Sequence, residues 1–264
     1  MATDTQPTTF SDLKTDLARR LREVAASGST SEIIIESMLN TALHDVHVSP
    51  GNTWTWAIRR GVLITHSPYT VGTVDITASA RTTVTGTSTL WTTAVTGFGF
   101  NNARAGGKMT FSGTNDVYTV SSVDSATSIT LASTYTGDAL DDASYSYQED
   151  EYALAADFGR PLDLRLFSSD LNIPLIGPME FRRMYPRNSS QRQPKVASLI
   201  ENIGFSGSTT PRPRLVLAPV PDNEYSIPYD YISTYLAVSS AGVEQTQMTS
   251  NTDEPIIPLK FRHI

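Results

Sequence analysis

Residues 71–148 constrain the fold more than any other part of this chain. Thr and Ser dominate them, and short β-branched segments alternate with Gly, Asn and Asp turns. Such a stretch can bury itself as closely spaced strands. Candidates fall at Thr73–Thr77, Thr82–Thr85, Lys108–Phe111, Tyr118–Val123, Ser128–Leu131 and Ser144–Gln148. Short strands joined by close turns predict a small all-β barrel or sandwich. Strand-like segments precede it at Ile58–Ile64 and follow it at Leu162–Phe167, so the stretch reads as an inserted domain whose two ends lie close together.

Ahead of the insert the pattern is helical. Phe10, Leu13, Leu17, Leu21 and Val24 recur as one apolar stripe, with Asp12, Lys14, Asp16, Arg19, Arg20, Arg22 and Glu23 on the other faces. Gly28 is a stop, and Ser29-Thr30-Ser31-Glu32 is a capping box that opens a second helix. There Ile34, Ile35, Met38, Leu39, Ala42, Leu43 and Val46 form a broader apolar face, which predicts that the second helix is the more buried. Ser49-Pro50-Gly51 ends it. Trp54–Ile64 then reads as a core strand with Trp54 and Trp56 on one face.

After the insert, Tyr152–Phe158 and Leu162–Phe167 read as extended, Pro178–Tyr185 as a short helix, and Val196–Phe205 as ambiguous. Strands follow at Arg214–Ala218 and Glu224–Leu236 around a Pro-Val-Pro-Asp-Asn turn. In the second, Tyr225, Ile227, Tyr229 and Tyr231 share one side, and Pro228 lacks a backbone donor, which predicts an edge strand with exposed aromatics. The expected fold is therefore α+β. An N-terminal helical hairpin and first core strand (1–70) pack with a mainly antiparallel β core (149–264), and the small β-domain (71–148) is inserted between them.

The chain has no cysteine, so thiolate and disulfide chemistry are excluded. The start, MATDTQPTTF, lacks the regions of a signal peptide, and no apolar run reaches the length of a membrane span. A soluble protein made in a cytoplasm, with no membrane partner, is expected. Net charge is −7, but it is unevenly distributed. Residues 71–150 hold eight acidic against three basic side chains, 159–214 nine basic against four acidic, and 215–264 six acidic against two basic. Two readings follow: ordinary scatter, or complementary faces that meet between copies.

Reactive constellations are hard to find. His44 and His47 could share a helix face, but a zinc site needs further ligands. No G-x-S-x-G elbow occurs, and Gly97-Phe98-Gly99 lacks the third glycine of a nucleotide loop. Asp138–Asp142 and Gln148–Glu151 read as solvated turns, with a weak cation site at Asp138, Asp141 and Asp142 left open. Asn188-Ser189-Ser190 matches a glycosylation acceptor without a secretory context. No catalytic, cofactor or metal role is assigned to any residue. Arg182, Arg183, Arg187, Arg192 and Lys195 lie beside Phe181 and Tyr185 and read as an interface to an acidic neighbour, with phosphate gripping as the alternative. Tyr225, Tyr229, Tyr231, Pro255, Pro258 and Phe261 complete the candidate interface.

Several of these segments together resemble a known family. They are FSDLKTDLARRLREV, SEIIIESMLNTALHDV, PRLVLAPVPDNEYSIPYDY (L-x-L-x-P-x-P-D, then alternating Tyr and Ile) and the Pro-x-x-Pro of DEPIIPLKF. Over residues 9–70 and 150–264 the chain resembles the head-to-tail adaptor (connector, head-completion) proteins of short-tailed bacteriophages. The insert, with TTVTGTSTLWT and YTVSSVDSATSITL, looks like a small β-module that recurs in phage structural proteins. The resemblance implies a virion protein at the head–tail junction, not an enzyme, that forms a ring of about twelve copies. Its partners would be itself, the portal protein and tail nozzle or fibre proteins. Double-stranded DNA would pass through without sequence-specific binding. The resemblance also implies that the helices form the inner annulus and the β-domain projects outward. Many members continue past Pro-x-x-Pro into further helices, whereas this chain stops at Ile264. Asn251–Ile264 then either docks on the portal or a neighbour, or closes the protein's own sheet. The alternative functions are another phage tail component (tail tube, nozzle or fibre attachment) or a carbohydrate-binding β-module that stacks sugars on Trp54, Trp56 and Trp91.

Overall fold

A computed structural model describes residues 7–23, 27–48, 53–166, 171–202 and 212–259. The fold is α+β, with N-terminal helices preceding largely antiparallel sheets. In chain order the elements are α1 (Phe10–Leu21), α2 (Thr30–Val48), β1 (Ile58–Ile64), β2 (Thr73–Ile76), β3 (Thr83–Thr87), β4 (Lys108–Phe111), β5 (Val117–Ser125), β6 (Ser128–Leu131), β7 (Leu140–Ala143), β8 (Tyr145–Gln148), β9 (Glu151–Ala153), β10 (Phe158–Leu166), β11 (Leu171–Asn172), β12 (Leu175–Ile176), α3 (Pro178–Met184), β13 (Val196–Asn202), β14 (Arg212–Ala218), β15 (Ser226–Ser233), β16 (Ala237–Val238), β17 (Glu244–Gln245) and β18 (Glu254–Pro255). The chain divides into two compact units: 1–59, 157–161 and 231–264 in the first, 60–156 and 162–230 in the second.

In the first unit, α1 opens with a capping box. The Thr9 hydroxyl accepts from the Asp12 N–H, and the Asp12 carboxylate accepts from the Thr9 N–H at 3.1 Å. That backbone bond, despite some burial, lowers the Asp12 pKa. The buried stripe of α1 is not the expected one. Phe10, Lys14 and Ala18 are its buried residues, Leu13 and Leu17 are half-buried, and Leu21 is exposed. Lys14 faces inward because two carboxylates on α2 receive it, Glu32 at 2.8 Å and Glu36 at 2.7 Å. Burial acts to lower the Lys14 pKa, but these two partners override it and raise the value.

Phe10 packs with Ala237 and Met248, flanked by Leu13, Leu39 and Leu43. The Asn40 amide clamps the Met248 backbone, donating to its carbonyl and accepting from its N–H. Nearby, β16 pairs with both β17 and β18. Burial pushes the Asp253 pKa up, but the backbone N–H groups of Ser250 and Thr249 and the Gln245 amide more than offset this and hold it low.

In the second unit, residues 73–148 form a seven-stranded antiparallel sheet in the order β7-β2-β3-β6-β5-β4-β8. Only Ser144 separates its two outermost strands, β7 and β8, along the chain, and the sheet curls into a half-barrel. It encloses its own core, including Trp91, Val84, Met109, Ile129 and Tyr147. Trp91 donates to the Tyr145 hydroxyl at 3.0 Å, and that hydroxyl donates to the Val71 carbonyl at 2.7 Å. Tyr69 and Tyr147 exchange a pair of backbone hydrogen bonds, which ties the point where the chain enters this sheet to the point where it leaves. Gly107 has a structural reason to lack a side chain, because a Cβ there would fall on the Tyr147 ring.

Two corrections concern strands. The acidic segment read as a turn contains β7: Leu140–Ala143 pairs with β2 through an irregular register, and the Asp142 N–H donates to Asp75 at 2.7 Å. The aromatic strand expected at an edge, β15, is an inner strand of the sheet β1-β15-β10-β11. It runs through Pro228 at the cost of one ladder donor. The remaining sheet has the order β12-β13-β14-β9, and β13 runs antiparallel to β14 over seven pairs, so the ambiguous segment is a strand up to Asn202. Trp54 and Trp56 precede β1 in a turn, their rings stacked 4.6 Å apart.

Candidate assembly surfaces

Helix α2 has the largest mismatch between pattern and burial. It was expected to be the more buried helix, but Ile35 and His47 are its fully buried residues among those described, while Leu39, Leu43 and Val46 are half-buried. The residues it leaves exposed between Thr30 and Ala42 are Thr30, Ile33, Ile34, Ser37, Met38, Thr41 and Ala42. Their spacing of three and four places them on one helix face. Ile33 is 61 % exposed, Ile34 53 % and Met38 46 %. None of the seven carries a charge, and the nearby Glu32 and Glu36 are engaged by Lys14. An uncharged helix face that exposes three large apolar side chains is a candidate interaction surface. Beside it runs an apolar groove of about 250 Å³ walled by Leu13, Leu17, Met38, Ala42, Pro255 and Ile257.

A second, more polar cleft of about 640 Å³ lies in the same unit. Trp56, Arg59, Glu244, Glu254, Ser239 and Thr252 line it, and Pro255 borders both depressions. Arg59 pairs with Glu244 at 2.7 Å. Trp54 donates its indole N–H to the Val46 carbonyl, which fixes the Trp54–Trp56 stack against the end of α2.

The expected basic cluster is in the second unit. Arg182 and Arg183 are on α3, Arg187, Arg192 and Lys195 follow it, and all five are exposed. Among the described residues none of the five forms an ion pair, so their charge is directed at solvent. Phe181 anchors α3 by packing on Val216 and Ala218. Met179 and Met184 are exposed as well, at 89 % and 51 %.

The tyrosines part company with the expectation. Tyr229 and Tyr231 are buried, not displayed. The Tyr229 hydroxyl accepts from the Ala155 N–H, and the Tyr231 hydroxyl donates to Asp157 at 2.8 Å. Their place on an inner strand explains this. Tyr225 is half-buried and donates to Asp222 at 2.7 Å; burial first, and that carboxylate second, push its pKa up to about 12. Pro255 is buried in β18 and Pro258 is half-buried, so the described part of the C-terminal segment closes the chain's own small sheet. Phe261 lies outside the described residues, as does Val24 of the expected helix stripe.

Sequence reading missed a buried polar junction at residues 148–151, which it took for a solvated turn. Gln148, Glu149 and Asp150 are all buried. Arg104 holds Glu149, which also accepts from the Tyr147 hydroxyl at 2.6 Å. Lys108 bonds Asp150 at 2.7 Å and approaches Glu151 at 3.4 Å. Burial would lower the Arg104 and Lys108 pKa values, but the facing carboxylates reverse this and raise them. Asn188 donates to Asp150 and to the Leu217 carbonyl, so its amide is committed to the interior and is no glycan acceptor. The cations at Arg104 and Lys108, some forty residues upstream, were the available signal for a paired interior.

Other candidate chemistry disperses. His44 is exposed while His47 is buried against the Ser233 carbonyl at 2.5 Å. Among the described residues no group of three His, Asp or Glu side chains is placed to hold a metal ion, Asp138, Asp141 and Asp142 included. Trp91 is fully buried and offers no stacking platform. No described helix is long and apolar enough to cross a membrane. Comparison of the chain with known protein families, curated proteins and solved structures returns no match.

Proposed function

We propose that this chain is a structural virion protein, the head-to-tail adaptor of a short-tailed bacteriophage. On this reading about twelve copies close into a ring that joins the portal to the tail nozzle and continues the DNA channel. The uncharged face of α2 carries the reading, because it exposes Ile33, Ile34 and Met38 as a subunit contact would. The unpaired cations around α3 supply a second exposed surface of different character. The segments that carry the family resemblance include α1, α2, β14 and β15. At a net charge of −7 per copy the assembled ring would repel DNA and let it slide.

The carbohydrate-binding alternative loses Trp91 to the core and keeps Trp56 at the rim of a polar cleft. Electron microscopy of the purified chain mixed with portal protein separates the readings. Rings seated on the portal are expected. A chain that ignores the portal and is retained on a glycan resin would overturn the proposal.

A further inference from the structure

In the second unit the fold gathers five cations around the end of β14. Phe181 seats α3, with Arg182 and Arg183, on Val216 and Ala218. The Asn188 amide, next to Arg187, donates to the Leu217 carbonyl at 2.7 Å. The Lys195 N–H donates to the Ala218 carbonyl at 2.9 Å, and the Arg192 N–H to the Val220 carbonyl at 2.8 Å. All five side chains are exposed, and among the described residues none is in an ion pair. The exposed carboxylates nearest in sequence are Glu180 and Asp222, and Asp222 already accepts from the Tyr225 hydroxyl. Five cations against two carboxylates leave a surplus of three positive charges.

The half-barrel of the same unit has the opposite character. Its cations are turned to partners of their own: Arg81 to the Tyr135 and Gly137 carbonyls, Arg104 to Glu149 and Lys108 to Asp150. Carboxylates are left over on the outside. Asp116 lies 3.5 Å from the Thr136 hydroxyl, two residues before Asp138. Both also act on Tyr135: burial first, then Tyr118 and Asp138, and more weakly Asp116, raise its pKa, and Arg81 opposes them. Asp141 follows in β7. All three acids are exposed, and among the described residues none is in an ion pair. With Arg81 counted, three acids against one cation leave a surplus of two negative charges.

We propose that the cations around the end of β14 in one copy dock on the Asp116, Asp138 and Asp141 end of the half-barrel in a second copy. The inference rests on the self-assembly reading above and names two surfaces that meet. The charges favour a second copy as the occupant: neither surplus is balanced within its own surface, and one chain carries both. Four of the five cations are arginines, whose planar fork can grip a carboxylate through two parallel hydrogen bonds. Complementary charge of this kind selects and orients the partner. The two surfaces differ, so the contact is heterologous. It leaves one free surface of each kind at every step until the assembly closes on itself.

Charge reversal tests this directly. One variant carries Arg182→Glu and Arg183→Glu, the other Asp116→Lys and Asp138→Lys, all at exposed positions. Circular dichroism checks that each is folded, and sedimentation velocity at low salt reads association. Each variant alone is expected to associate about tenfold more weakly than wild type, because like charges then face each other. Mixing the two is expected to restore association, since the new glutamates of one meet the new lysines of the other. Wild-type association is expected to weaken as salt screens the exposed pairs. Folded variants that associate as wild type does overturn the docking. So does a mixture that associates no better than its parts. If wild type assembles in those cases, this docking fails while the adaptor reading stands. A wild-type chain that never assembles fails both.

Discussion

Replacing Ile33, Ile34 and Met38 together by serine separates assembly from folding. All three are about half exposed, at 61 %, 53 % and 46 %. Fully burying such a side chain is worth about 1.5–3 kcal/mol, so covering the exposed half of each is worth about 1 kcal/mol. The triple variant should therefore weaken the contact by about 3 kcal/mol, on the order of a hundredfold in association constant. The folded monomer should change by only about 0.5 kcal/mol per site, because surface substitutions away from specific partners act weakly. Sedimentation velocity across a concentration series reads the first effect, and thermal unfolding of dilute protein reads the second. Unchanged association would refute the reasoning. Loss of stability in the dilute monomer equal to the loss in association would refute it too, because the face would then be supporting the fold.

Other predictions follow from the interior. Gly107→Ala should destabilise the protein by about 1–3 kcal/mol in urea unfolding, because Tyr147 is fully buried, bonded to Glu149, and has nowhere to yield. Lys14→Ala should cost about 1–2 kcal/mol, less than a wholly buried pair because Glu32 and Glu36 keep some solvent, and Lys14→Arg should recover part of it. Asp12 and Asp253 have folded pKa values below their ordinary ones, so their contribution is complete above the unfolded value and is lost as pH falls through the folded one. Melting temperature should therefore fall as pH drops below about 4, and Asp253→Asn should flatten that fall.

Much of the architecture was legible because period and punctuation agree. β4 and β6 lie where β-branched and apolar residues alternate between turns, and α1 and α2 where apolar residues recur every three to four positions. The misses share a cause: a charged or constrained residue was assigned to solvent or to an edge on its own chemistry. Lys14 is interior because Glu32 and Glu36, eighteen and twenty-two residues on, meet it there. Asp141 and Asp142 are in β7 because an edge strand tolerates exposed acids. Glu149 and Asp150 are buried because Arg104 and Lys108 come from a neighbouring part of the sheet. Pro228 argued for an edge, yet Ile227 before it and Tyr229 and Tyr231 after it pack inward, and β15 lies in the middle of its sheet.

In the interface set, composition pointed correctly to an exposed arginine cluster and wrongly to Tyr229 and Tyr231 as surface residues. Side-chain alternation in β15 was right, but alternation does not say which side meets water. The open face of α2 could not be read from sequence, because an apolar stripe has the same spacing whether its own chain or another covers it.

Native mass spectrometry of the purified chain, alone and with portal protein, tests the central claim most directly. The account predicts a discrete closed species whose mass is a whole-number multiple of 28.8 kDa. A single 28.8 kDa species at every concentration, with portal protein present or absent, would contradict it.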